Sequence, residues 1–309
     1  MADTVPDGPL PGQAPGFTVW SENKMSNPEK IGLIAGGGSF PLLFAAEAKK
    51  AGREVIVAGL KGITPETIEQ YSAKVSYFRL GQLSDPINFF KENGVKKVLM
   101  AGSVPHISIF GGIVPDLRAA KLIFKLKDKK ANAILGALAD ELAADGLELV
   151  NSTTMLEHLL VKPGLLAGKK LSGDALKCAA FGWKAAKALA ALDIGLTVVL
   201  RDRVVLAAEA QEGTDACITR AGEILRRLRE SGREGHAMMV VKVARPGQDM
   251  RFDLPVAGAP TLRTMHAAGA DTLVLEAGKT LILGMEDFLA AAKDTGITVL
   301  GAESEDSFK

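Results

Sequence analysis

The chain has 309 residues, of which 47% are hydrophobic and 24% charged, with 37 basic side chains against 36 acidic ones. Near-neutral charge excludes a global positive field for nucleic acid, so any charge recognition is local. No apolar run approaches the roughly 20 residues of a membrane-spanning helix, and Cys178 and Cys217 lack metal or redox spacing and read as small buried thiols.

Residues 1–24 are rich in Pro and Gly and lack the basic start and apolar centre of a signal peptide. They read as a disordered extension, tag or misplaced start ahead of Met25. From Ile31 the pattern is apolar run, glycine turn, helix: Ile31–Ala35, then Gly36-Gly37-Gly38-Ser39-Phe40-Pro41, then a helical stretch to about Ala51. Apolar runs at 54–58, 75–78 and 97–101, with a helix capped near Ser84-Asp85-Pro86, continue the alternation of a parallel, doubly wound sheet. A Gly/Pro-punctuated loop at 102–115 and a long helical region at 116–144 close a first domain spanning 25–155. Breaker residues place a linker at 156–168.

The second domain, 169–309, opens with a helix over about 174–192 and a hairpin, 197–200 and 204–208, around Arg201-Asp202-Arg203. A helix from Thr214 to about Glu230 follows, with Cys217, Ile218, Ala221, Ile224, Leu225 and Leu228 at helical period. Strands near 237–244, 272–276 and 280–283, a helix near 261–268 and a final helix–strand pair complete a mixed α/β unit. The fold class is therefore α/β, with a Rossmann-like N-terminal domain and a distinct C-terminal domain.

Four stretches are candidates for chemistry. The glycine turn can present Gly37, Gly38, Ser39, Phe40 and Pro41 to an anion at a helix start. Pro41 stands where a dinucleotide fingerprint needs glycine, and no acid ends the 54–58 strand, so nicotinamide binding is disfavoured. A purely structural turn, with Ser39 as cap, is the alternative. Gly102 and Ser103 leave the carboxyl end of a buried strand, where ligands of open sheets sit; His106 follows them, with a surface or core role as its plain alternative. In the second domain, Glu212-Gly-Thr214-Asp215 gathers carboxylates and a hydroxyl at a helix start, which Thr214 as N-cap explains equally well. Arg245-Pro-Gly-Gln248-Asp249-Met-Arg251-Phe-Asp253 follows a strand containing Lys242, and a polar hairpin loop is its alternative. A diphosphate needs cations to neutralise developing charge and a carboxylate to hold a metal or orient water; Lys242, Arg251, Asp215 and Asp249 supply that inventory. The basic helix 117–130 sets Leu122 and Leu126 among lysines and can touch acyl chains or a membrane surface, or pack on the core with solvated lysines.

The phrases Ile31-Gly-Leu-Ile-Ala-Gly-Gly-Gly-Ser-Phe-Pro-Leu42, Glu209-Ala-Gln-Glu-Gly-Thr-Asp215 and Pro246-Gly-Gln-Asp-Met-Arg-Phe-Asp-Leu-Pro255 together resemble the LpxI family of UDP-2,3-diacylglucosamine pyrophosphatases. The resemblance spans Ile31 to Gly301. It implies a cytoplasmic Gram-negative enzyme that hydrolyses UDP-2,3-diacylglucosamine to UMP and 2,3-diacylglucosamine 1-phosphate (lipid X) with magnesium, in lipid A synthesis. It also implies a ligand held in a cleft between the two domains. By motif, Asp249 is the catalytic carboxylate, with Asp215 and Lys242 as phosphate- or metal-facing partners. Asp249, Asp215 and Glu212 are the metal candidates, and Thr214, Gln248 and Arg251 join the two glycine loops as substrate contacts. Arg245 stands where the family more often has lysine, which keeps the charge. The signatures of calcineurin-like phosphoesterases and Nudix hydrolases do not occur. No nucleic-acid partner is expected; peripheral contact with the inner membrane and a homodimer are both compatible with the pattern. A non-catalytic nucleotide-sugar binding protein is the rival reading.

Overall fold

The computed structural model describes residues 28–104, 114–125, 131–232, 235–252 and 254–309; residues 1–24, His106, Leu126 and Asp253 lie outside these. The first domain is built on five strands, β1 (Lys30–Ala35), β2 (Glu54–Leu60), β3 (Lys74–Phe78), β4 (Lys97–Ala101) and β5 (Glu148–Leu149). All pairs are parallel and the order is β3-β2-β1-β4-β5, so the strand order reverses between β1 and β4. Crevices at such a reversal are where doubly wound sheets place ligands. Among the described residues its α-helices are α1 (Phe40–Lys50), α2 (Ser84–Glu92), α3 (Leu117–Lys125) and α4 (Ala131–Ala144). Continuous apolar strands suit a sheet covered on both faces. Side chains alternate along β2, so Val55 and Val57 join Leu33, Phe44 and Leu99 on one face, while Ile56 and Ala58 join Phe90, Val98 and Leu142 on the other.

Within the 116–144 region the described residues form α3 and α4, and Leu122 points into the core at 8% exposure, not among the lysines. The expected local cap of α2 is also replaced. Its N-cap residue is Leu83, without a side-chain bond, and the carboxylate of Asp116 accepts the N–H groups of Leu83 at 2.9 Å and Ser84 at 2.7 Å. The other Asp116 oxygen accepts Ala119 N–H at 2.8 Å, in the first turn of α3. One carboxylate thus caps two helices.

The second domain carries a six-stranded mixed sheet, order β6-β13-β11-β9-β7-β8. Its strands are β6 (Gly164–Ala167), β7 (Thr197–Arg201), β8 (Val204–Ala208), β9 (Met238–Lys242), β11 (Ala270–Glu276) and β13 (Thr298–Ala302). The β7–β8 hairpin turns on Asp202 and Arg203, both with positive φ (51° and 62°), as a tight two-residue turn requires. The stretch read as linker contributes β6, antiparallel to β13. Helices α5 (Gly173–Ala191), α6 (Thr214–Glu230), α7 (Ala259–Ala268) and α8 (Met285–Thr295) cover this sheet. Cys178 and Cys217 are buried in its two cores as free thiols.

A small parallel pair, β10 (Val256–Gly258) with β12 (Leu281–Leu283), joins the domains. Leu254 and Leu281 are buried in the same cluster as Leu33, Phe44 and Leu99 of the first domain. No helix among the described residues is long and apolar enough to cross a membrane.

Burial alone would raise the Asp116 carboxyl, but its N–H bonds from Ala119, Ser84 and Leu83 hold it down at about 2, against an ordinary 3.8. A depressed folded value gives stability that is fully present above about pH 4 and fades as pH falls towards 2. Asp116→Ala is expected to lower the unfolding free energy at neutral pH by about 2 kcal/mol. Urea titrations at pH 7 and pH 3 check this, the difference between wild type and variant shrinking at the lower pH.

Candidate functional site

The exits of β1 and β4 lie shoulder to shoulder. Gly36 N–H donates to Ala101 O, Gly37 N–H to Ser103 O at 2.8 Å, and Ser103 N–H to Gly37 O at 3.1 Å. A Cβ on Gly102, whose φ is +93°, would stand 2.6 Å from Gly37 O and 2.7 Å from the ring of Pro41. Glycine at 102 therefore answers both a left-handed backbone and a backbone crossing. Pro41 sits in the first turn of α1 as expected and is buried against this crossing. Ser39 does not cap: its backbone is helical and its side chain makes no capping bond. Phe40 packs against the core, and Gly38 has φ +87° with open space at its Cβ position.

A second constellation lies at the carboxyl end of β9. Thr214 is not the N-cap of α6; Gly213, with φ +82°, takes that place. Freed from capping, the Thr214 hydroxyl donates to Glu209 Oε1 at 2.9 Å and accepts from Lys242 Nζ at 2.7 Å. Glu209, buried at 9% exposure, also takes the Leu196 N–H at 3.2 Å. Lys242, equally buried, is held by this hydroxyl at the edge of a shallow, open cavity of about 350 Å³ lined also by Glu212, Thr214, Asp215, Val256 and Thr261. Asp215 Oδ1 accepts from Thr261 Oγ1 at 3.0 Å. Glu212 is paired with Arg220 at 2.5 Å and accepts Ala210 N–H. Bonds from backbone N–H groups and Arg220 hold its carboxyl below the ordinary range. Val256 also packs on the first domain's core, so this cavity opens near the seam.

The third element is the turn after β9. Pro246 and Gly247 (φ +66°) form its corner, closed by Gln248 N–H to Arg245 O and by Arg245 N–H to the Gln248 side-chain oxygen at 2.8 Å. Gln248 thus braces the turn. Its start is clamped on both backbone groups: Ala244 N–H donates to Glu276 Oε2 at 2.7 Å, and Lys187 Nζ donates to Ala244 O at 2.9 Å and to Glu276 at 2.6 Å. Asp249 is gripped by Arg251, whose Nε and Nη2 reach both carboxylate oxygens at 2.7 to 3.1 Å in three contacts while its backbone N–H adds a fourth. The guanidinium holds the Asp249 carboxyl below the usual range, so it is ionised at neutral pH. Ser152 docks this turn on the first domain. Its N–H donates to Met250 O, and its buried hydroxyl lies 2.8 Å from Met100 O and 2.9 Å from Arg251 O. Asp249 and Arg251 are therefore held beside the strand that delivers Gly102 and Ser103.

Glu212, Thr214, Asp215 and Lys242 share one cavity, whereas Asp249 with Arg251 occupies the seam next to β4. The three metal candidates do not converge: Glu212 is tied to Arg220 and Asp249 to Arg251, and among the described residues no three His, Cys, Asp or Glu side chains gather around one point. His106 and Asp253 lie outside the described residues. The sequence reading passed over Glu209, Thr261 and Ser152. Glu209 had a signal, a carboxylate directly after the apolar run of β8; Ser152 and Thr261 had none.

Fold and polar groups define a two-domain α/β protein whose second domain docks its Asp249–Arg251 turn beside β4, next to the reversal in strand order. One family model, described as the LpxI N-terminal domain, matches residues 30–159, and another, the LpxI C-terminal domain, matches residues 162–300. A relative from Caulobacter vibrioides, named UDP-2,3-diacylglucosamine pyrophosphatase LpxI, is 30% identical over 281 residues, spanning 90% of this chain and 99% of that protein. This chain belongs to the LpxI family. Among solved structures, the biotin carboxylase subunit of pyruvate carboxylase is 12% identical, covering 67% of this chain and 41% of its own, with a TM-score of 0.25. A biotin carboxylase domain of a single-chain bacterial carboxylase is 13% identical, covering 73% and 60%, with a TM-score again of 0.25. Similarity at that level carries no argument.

Thr214→Val would leave the Lys242 ammonium and the Glu209 carboxylate without their shared hydroxyl. It is expected to lower stability by about 1–3 kcal/mol, as for other buried polar groups stripped of a partner. Thr214→Ser, which keeps the hydroxyl, is expected to stay within about 1 kcal/mol of wild type in the same denaturant titration.

Proposed function

We infer that this protein hydrolyses the pyrophosphate bond of UDP-2,3-diacylglucosamine, adding water to give UMP and 2,3-diacylglucosamine 1-phosphate, in lipid A synthesis. The observation that carries the reading, beside family membership, is the docking of the Asp249–Arg251 turn by Ser152 next to β4, the strand that leads into Gly102. That turn carries a carboxylate and a guanidinium paired with each other.

Breaking a diphosphate requires charge neutralisation, an oriented water and a stabilised leaving phosphate. The start of α1 after Gly37 and Gly38 favours an anion through its unpaired N–H groups and dipole. Lys242, braced by Thr214, offers a fixed positive charge from the second domain. Asp249, being ionised, is a weak proton acceptor; it suits orienting a water or holding a cation better than accepting a proton at equilibrium. A hard divalent cation such as magnesium can use a single carboxylate plus phosphate oxygens, so Asp249 alone is a donor of the fitting kind without a three-ligand protein cage. Such a cation would neutralise phosphate charge when bound. Arg251, released from Asp249, is then available to a phosphate as a bidentate donor.

The rival reading, a binding protein without turnover, is favoured by one observation: Arg251 occupies both Asp249 oxygens. Asp249→Ala is expected to retain substrate binding and lose at least about a hundredfold in UMP release, as for removal of an electrostatic catalytic group. Near-normal release by this variant would sink the role of Asp249, and no release by the wild type with magnesium would support the binding protein. Chelation with EDTA is expected to stop UMP release, and added magnesium to restore it. Because Arg251 depresses the Asp249 carboxyl, Arg251→Ala should move the acidic limb of kcat/KM to higher pH, whatever it does to the maximal rate.

A further inference from the structure

The three most exposed large apolar side chains among the described residues lie between positions 114 and 124: Val114 at 81%, Leu117 at 83% and Phe124 at 92%. The last two belong to α3. At about 100° per residue, Ala119 and Leu122 mark its core side, and Leu117, Ala120 and Phe124 project from the opposite side. That outward side of a helix is normally polar. Here its centre is a leucine and a phenylalanine, and the exposed Lys121 and Lys125 flank them on one side. The other charges of this segment are spoken for: Arg118 pairs with Glu141 and Asp145, and Asp116 is consumed in capping. The remaining surface combines apolar bulk with positive charge, the composition of helices that lie in the headgroup layer of a membrane.

We propose that the outward face of α3, with Leu117 and Phe124 flanked by Lys121 and Lys125, is a docking surface for an anionic phospholipid bilayer. Its purpose, though not its physics, rests on the reading of the substrate as a diacylated sugar nucleotide. Placement supports it. Phe252, next to Arg251, packs on the same core cluster as Ala119 and Leu122, so the helix that would touch lipid sits over the core that carries the Asp249 turn. The positive flank chooses an anionic bilayer over a neutral one, and over a second copy of this face, whose lysines would repel their like.

Co-sedimentation of the full chain with phosphatidylcholine vesicles, with and without about one third phosphatidylglycerol, tests the proposal, alongside UMP release from detergent-dispersed substrate. Binding is expected to the anionic vesicles alone and to weaken with salt. Leu117→Ser with Phe124→Ser, and separately Lys121→Glu with Lys125→Glu, should each lower vesicle partition about tenfold or more, with melting temperature and release from dispersed substrate unchanged. Equal partition of wild type and both variants, or none by the wild type, overturns the surface while leaving the hydrolase reading intact. A change of oligomeric state in Leu117→Ser with Phe124→Ser, without vesicle binding by the wild type, overturns it in favour of a second copy. Vesicle binding as expected, with no UMP released, would instead refute the activity.

Discussion

One buried serine hydroxyl fixes where the two domains meet in register. Ser152 has a single proton to share between Met100 O in the first domain and Arg251 O in the second, and its own N–H goes to Met250 O. Around it the second domain inserts Leu254 and Leu281 into the first domain's core. The seam is therefore part apolar packing and part directed hydrogen bonding. Apolar packing supplies most of the adhesion, and the directed bonds fix where along the seam the Asp249 turn must sit. The clamp on Ala244 by Lys187 and Glu276 fixes the other end of that turn. Both anchors lie outside the polar groups they position.

The electrostatics divide between two strategies. Lys242 and Glu209 are both buried, and the Thr214 hydroxyl between them lets each keep a partner without direct contact. Asp249 and Arg251 are closer to solvent and pair directly, an arrangement easily exchanged for a phosphate. The first pair is a fixture of the cavity, whereas the second, being nearer solvent, is the more open to exchange.

Much of the fold was legible because its signals are local. The β1 run followed by glycines and Pro41, the helical period of Cys217 to Leu228, and the Arg201-Asp202-Arg203 hairpin each depend on neighbours within a few residues, and each appears where the sequence placed it. Capping was misread where residue type alone suggested it. Ser39 and Thr214 are good cap formers by type, yet neither caps, because the Thr214 hydroxyl is drawn to Glu209 and Lys242 and the Ser39 backbone is already helical. Leu83 and Ser84 receive their cap from Asp116, more than thirty positions away. The site followed the same rule. Motif residues lining the cavity could be named in advance, whereas Ser152 sat in a stretch that looked like ordinary turn residues. The linker contained a strand for that reason too: β6 has no pattern of its own and exists because β13 offers an edge.

Burial of the two cysteines has a practical side. The chain contains two in all, both among the described buried residues, and burial pushes the Cys217 thiol up to about 11. Desolvation raises Cys178 as well. At neutral pH neither offers much thiolate, the species that alkylating dyes attack. A cysteine introduced on the surface would then be the one reactive sulfur, and the native chain provides its own silent background for fluorophore or spin-label attachment.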